Sequence, residues 1–212
     1  MPRVKPPPSS VKPPTASAEP PAARARLSTA SVVDAAMGLV DEQGRAALTL
    51  AAVAARTGVA TPSLYKHVRN LEALQQKVSA RATAGLADAL SAAVAGRSGE
   101  EALRSMAHAY RGYAMAHPGR YPMTQRVPDP QDPEHVAAGA RAITAVFATL
   151  HGYGLQGDDA IDATRMIRSA IHGFVSLDVE GGFGLPQDVT RSFEKLVSAL
   201  HVSLSDWRKV SR

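Results

Sequence analysis

The 212-residue chain has no cysteine, which excludes a disulfide scaffold, a cysteine nucleophile and a thiolate metal site, and which suits a reducing compartment. No apolar run approaches the roughly 20 residues needed to span a bilayer, and the first residues lack the apolar stretch of a signal peptide. The expectation is a cytoplasmic protein with no membrane partner. The strand-type alternation of polar and apolar residues is missing, as is any internal repeat at a solenoid period. Seven histidines occur without a His-Glu-x-x-His spacing, so the zinc-hydrolase motif is absent. No cofactor and no metal are expected, and the fold class is all-α.

The net charge of +5 and the pI near 9.7 point to a polyanionic partner, but the charge is unevenly placed. Residues 1–26 hold Arg3, Lys5, Lys12, Arg24 and Arg26 against Glu19, together with eight prolines. That stretch has no apolar periodicity from which to build a core, and it reads as a disordered basic tail. Arg24 and Arg26 stand where an N-terminal arm would reach a minor groove or a phosphate.

Beyond the tail the sequence reads as helix after helix, about nine in all. Ser28 caps a first helix with a Val33, Met37, Val40 stripe that ends near Gln43 and Gly44. Asn70 caps a long helix carrying Leu71, Leu74 and Val78 on its buried side. Further segments cover 100–117, 119–126, 132–151, 157–180 and 187–208, with breaks where proline and glycine gather. The organisation expected is a tail over 1–26, a small three-helix unit over 27–74 and a larger helical bundle over 75–212.

Within the small unit, residues 49–67 read TLAAVAARTGVATPSLYKH, two short helices joined by a tight turn. Leu50, Val53 and Ala54 share a face, Gly58 tolerates the turn, and Thr61-Pro62 is a cap and first-turn pair. Such a helix-turn-helix reads DNA, so double-stranded DNA is the expected partner. Leu64 and Val68, with the Tyr65 ring partly inserted, would pin the second helix, leaving Thr61, Ser63, Lys66 and His67 outward. Ala60, Thr61, Pro62 and Ser63 form the end that enters the major groove, with Lys66 one turn later. Thr49 and Asn70 sit at helix starts, where free amides and the helix dipole attract phosphate.

The run from about residue 28 to 74, above all LTLAAVAARTGVATPSLYKHVRNLEAL, resembles the DNA-binding domain of the TetR family of one-component regulators. Tyr65 and His67 match that family's phosphate-contacting pair, whereas Leu71 stands where the family often has lysine, with Arg69 the neighbouring cation. HGFVSLDVEGGFG, residues 172–184, is similar to the C-terminal domain of a Trp-His-Gly subfamily, with Ile171 in place of the tryptophan. The resemblance implies a homodimer and a small-molecule effector that lowers operator affinity. It also implies a dimer surface on the last two helices, where Ile161, Ile167, Ile171, Val189, Phe193, Leu196, Val197, Leu200 and Leu204 are apolar.

Candidates for the effector pocket are Met106, Tyr110, Tyr113, Phe147 and His151, large side chains with a few polar tips. Met106, Tyr110 and Tyr113 share one segment with Met115, Met123 follows the Pro118-Gly119 break, and Phe147, His151, Met166 and His172 could face them across a bundle. Other chemistries find less in the sequence. GYGLQG at 152–157 has a dinucleotide-binding spacing but follows an alanine-rich helix, so it reads as a loop. Asp158, Asp159 and Asp162 fit a helix's first turn, and only a convergence of His108, His117, His151 and His172 would suggest a metal. The competing readings are a helical-bundle enzyme or ligand carrier, and a non-specific nucleic-acid binder acting through the tail.

Overall fold

A computed structural model describes residues 27–207, and the tail with Arg24 and Arg26 lies outside them. Eight α-helices follow one another: α1 (Thr29–Gln43), α2 (Leu50–Thr57), α3 (Thr61–Leu64), α4 (Leu71–Val94), α5 (Gly99–Ala116), α6 (Pro133–His151), α7 (Gly157–Val179) and α8 (Val189–Ser205). Two 3-10 helices, Arg45–Ala47 and Tyr121–Gln125, complete the order. Among the described residues there is no strand. The expected piece over 119–126 is thus a 3-10 turn, not an α-helix.

The helix starts are set by side-chain caps. Ser28 and Ser31 form a reciprocal capping box at α1, Thr49 accepts from the Ala52 amide at 3.1 Å, and Asn70 accepts from the Ala73 amide at 2.8 Å. Asp132 and Asp188 do the same for α6 and α8. Gly58 closes α2 in the left-handed region, φ 68° and ψ 28°, a conformation that a β-carbon disfavours.

Two apolar cores share one helix. Val32, Val33, Met37, Val40, Val53, Leu64 and Val68 pack with Leu74, Val78 and Ala82 of α4. One turn later α4 directs Leu86, and then Leu90, into a second core with Leu103, Met106, Ile167, Ile171, Phe193 and Leu200. The 3-10 helix joins both: Tyr121 belongs to the second core, whereas Met123 is fully buried in the first.

The 152–157 stretch is the turn between α6 and α7. A β-carbon on Gly152 would lie 2.3 Å from the Gly99 amide nitrogen, so its glycine serves helix packing. Asp158 and Asp159 lie in the first turn of α7, where Asp159 accepts from the Trp207 indole at 2.9 Å, and Asp162 pairs with Arg165. The four histidines do not converge. His108 pairs with Glu194, His117 lies edge-on to Tyr113, His172 meets Tyr121, and His151 is exposed. Among the described residues no group of three or more His, Asp or Glu side chains could hold a metal, and no helix is long and apolar enough to cross a membrane.

Candidate DNA-reading face and effector cavity

The α2–turn–α3 segment is held from beneath. Val53, Ala54, Leu64 and Val68 are at most 3% exposed, and the Val59 amide donates to the Ala54 carbonyl at 3.1 Å. Regular α-helix in α3 lasts one turn, shorter than the sequence pattern suggests. The chain then tightens, with the His67 and Val68 amides both donating to the Leu64 carbonyl at 2.8 and 2.9 Å. Shared acceptance at Leu64 ends the helix while keeping Val68 in the core.

On the outer side Ala60, Pro62, Tyr65 and Lys66 are exposed, and Thr61, Ser63 and His67 are partly exposed. The Tyr65 ring is not partly inserted: it is 55% exposed, because Leu64 and Val68 already fill the space against α2. Its phenol therefore stands among groups that donate to phosphates and base edges. Thr49 and Asn70 are exposed at the starts of α2 and α4, their side chains occupied as caps. The electrostatics agree. From residue 43 to residue 71 the sequence carries Arg45, Arg56, Lys66 and Arg69 and no acidic residue. Of these, Arg56 is committed to Glu42 of α1 through bonds of 2.7 and 2.5 Å, which holds the Glu42 carboxyl below its usual range.

The second site is a cavity of about 380 Å³ walled by α4, α5, α6, α7 and the segment 124–128. Of the pocket candidates, Met106 and Tyr110 line it. The other three pocket candidates lie elsewhere. Tyr113 is buried and donates to the Ala82 carbonyl at 2.7 Å, while Phe147 and His151 face outward on α6. Met115 is 49% exposed, and Met123 belongs to the other core.

Residues expected at a dimer surface divide in the same way. Ile167 and Ile171 line the cavity, and Phe193, Val197, Leu200 and Leu204 fill the chain's own core with Leu196 packed beside it, whereas Ile161 is 42% exposed.

Apart from Tyr110, the polar side chains of the cavity escaped sequence reasoning. His135 is fully buried at the start of α6, its Nε2 3.4 Å from Ser79 Oγ and 3.5 Å from Thr83 Oγ1. Ser79 donates its own proton to the Met123 carbonyl at 2.6 Å. With its proton on Met123, Ser79 can only accept from the His135 ring, and Nδ1 of that ring has no partner. Burial pushes the His135 pKa down, keeping the ring neutral. At the opposite wall Arg168 donates to Gln125 Oε1 at 3.2 Å, and Gln125 donates to Tyr110 Oη at 3.4 Å. Tyr121 continues the chain, its Oη 3.1 Å from Tyr110 Oη and 2.5 Å from His172 Nδ1. Burial raises the pKa of both phenols. The one legible signal was spacing, since Thr164, Arg168 and Ile171 follow Tyr110's partner face at helical intervals on α7.

The two sites are physically joined. A β-carbon on Gly119 would fall 2.0 Å from the Val40 carbonyl oxygen, so the turn after α5 lies directly on the end of α1. Arg120 pairs with Asp41 there, and Arg126 of the cavity wall pairs with Glu72 at the start of α4. Thr124, Gln125 and Arg126 line the cavity while Met123, one residue away, is buried under the DNA-reading unit.

Comparison with known proteins places this architecture. Residues 32–77 match the tetR family of bacterial regulatory proteins, and residues 103–200 match the tetracyclin repressor-like C-terminal domain. The HTH-type transcriptional regulator Rv0681 of Mycobacterium tuberculosis is 42% identical over 158 residues, 74% of this chain and 72% of the relative. The HTH-type regulator YobS of Bacillus subtilis is 31% identical over 166 residues, 78% and 86% of the two chains. Among solved structures, ActR of Streptomyces coelicolor, a TetR family protein in complex with (S)-DNPA, superposes with a TM-score of 0.63 at 19% identity, covering 85% of this chain and 98% of that one. With both of its halves matched and its helix-turn-helix in place, the chain belongs to the TetR family of transcriptional regulators.

Proposed function

We propose that the chain is a ligand-responsive repressor that binds a pseudo-palindromic operator as a homodimer and is released when a small molecule fills the cavity. The observation that carries this reading is the position of the 3-10 helix, one wall of the cavity and one plug of the DNA-reading core at once. A ligand that displaces residues 124–128 acts on Met123, on the Arg126–Glu72 pair and on the Gly119–Val40 contact. Differential binding of that kind is what coupling requires, and about 1 to 3 kcal/mol between the sites changes operator affinity by about 5- to 150-fold.

Ala60, Thr61, Pro62 and Ser63 enter the major groove, with Lys66 able to reach a guanine edge or a phosphate, and Tyr65, His67, Thr49 and Asn70 set register on the backbone. One turn of helix reads few base pairs, so two copies are needed. A stripe on α7, Ile161, Arg165, Ser169, Gly173 and Leu177, is exposed at four-residue intervals, and Val202 is exposed on α8. The small residues at its centre let a partner's helices approach closely, which supports an intermolecular four-helix bundle.

Selection of bound duplexes from a random library at near-physiological salt tests the proposal. The expected product is a pseudo-palindrome whose half-sites lie about 34 to 36 Å apart or a multiple of that. Sequence-blind recovery, or a single half-site without two-fold symmetry, would contradict it.

A further inference from the structure

The cavity combines an apolar interior with a mouth of one sign. Leu86, Leu90, Val146 and Ile167 form the interior, three arginines lie at the rim, and no aspartate or glutamate lines it. The arginines are not equivalent. Arg126 is paired with Glu72 and Arg165 with Asp162, whereas Arg168 has no carboxylate within ion-pair distance among the described residues. Its guanidinium spends one bond on the neutral Gln125 side chain and keeps the rest of its donor fork. The rim thus carries a single uncompensated positive charge, with a buried Arg126 Nε that has no hydrogen-bond partner beside it.

Resting on the reading of this cavity as the effector site, we infer that its ligand is an amphipathic carboxylate, its head held by Arg168 and Gln125 and its apolar body lying between α4, α6 and α7. One excess charge matches a monoanion, and a planar carboxylate matches the fork of an arginine. A cation would meet three guanidinium groups and no acid. The exposed apolar side chains of Val127 and Ile143 at the same rim, 83% and 50% exposed, give the body apolar cover where it leaves the cavity. A volume of about 380 Å³ accommodates a medium-chain acid or a compound of a few rings.

The experiment uses the full chain and the dye N-phenyl-1-naphthylamine, neutral and fluorescent in apolar sites. Decanoate, decanol and decyltrimethylammonium, which share one apolar body, compete for it. The expected result is displacement by decanoate at concentrations about tenfold below the other two, the size of a charge-assisted hydrogen bond. Arg168→Gln is expected to abolish that preference while leaving dye binding in place, and Arg168→Lys to restore part of it. Gly139→Leu fills the cavity, since a β-carbon there meets only Pro128 at 3.5 Å, and is expected to exclude the dye.

Equal displacement by decanol, or a decanoate preference that survives Arg168→Gln, would overturn the carboxylate assignment and leave the cavity as a ligand site. Dye binding that is absent, or that Gly139→Leu leaves unchanged, would overturn both.

Discussion

At the scale of single residues, two side chains show how burial decides a role. Tyr65 and Tyr113 are the same residue in similar helical patterns. Tyr65 is exposed at the DNA-reading face, and Tyr113 is buried with its hydroxyl on the Ala82 carbonyl. No local pattern distinguishes them, because the difference arises from what packs on the other side. His135 is the more consequential case. Its pKa is lowered by burial, with Arg126 adding to the shift and Asp132 and Asp129 opposing it, and that of His172 is lowered by burial and by Arg168. The unfolded chain takes up these protons near the ordinary value of 6.5 and the folded chain only at lower pH. Between those points the unfolded state binds more protons, so stability is complete above about pH 6.5 and is lost as pH falls. Melting temperature measured from pH 7.5 to 5.0 is therefore expected to drop for the native chain and to drop less for His135→Gln. An equal drop in both would show that His135 does not contribute to the pH dependence of stability.

At the scale of elements, the turn between α2 and α3 is where local sequence and local structure agree best. Gly58 at φ 68° is the residue the pattern demanded, and Gly58→Ala is expected to cost about 1 kcal/mol in denaturant unfolding, with Gly58→Asn costing less. An unchanged midpoint for the alanine variant would show that the turn relaxes. Helix starts at Ser28, Thr49 and Asn70 were equally legible, because capping is a short-range reaction between a side chain and amides two or three residues on. The cavity was legible only in part. Met106 and Tyr110 were found as large residues on an apolar face, but Phe147 and His151 occupy the opposite side of α6. Arg168, Gln125 and His135 went unseen because their meeting depends on how α4, α6, α7 and the 3-10 helix pack, over separations of up to 56 residues. The apolar set of α7 and α8 was read as an interface, yet Ile167, Ile171, Phe193 and Leu200 serve the chain's own cavity and core. Apolar periodicity marks a face as buried without saying by whom.

At the scale of the whole molecule, the structure is two cores strung on α4 and tied again where the turn after α5 meets α1. Gly119 is the point of closest approach, its β-carbon position 2.0 Å from a backbone oxygen that cannot swing away. Gly119→Ala is expected to force the two units apart, weaken the Arg120–Asp41 pair and destabilise the fold by about 1 to 3 kcal/mol. Calorimetry is expected to show a broadened or two-step transition, and a single unshifted one would mean that the tie is dispensable. Selectivity for DNA is expected to reside in the folded helices and not in the basic residues 1–26. The most direct test measures affinity for the selected pseudo-palindrome and for a scrambled duplex over a range of salt, with the full chain, a chain lacking residues 1–26, and a Thr61→Ala, Lys66→Ala variant. Removing residues 1–26 is expected to weaken binding to both duplexes alike and to flatten the salt dependence while preserving the ratio of affinities, whereas the double variant is expected to lower the ratio itself. A ratio that vanishes with residues 1–26 and survives the double variant would contradict this expectation.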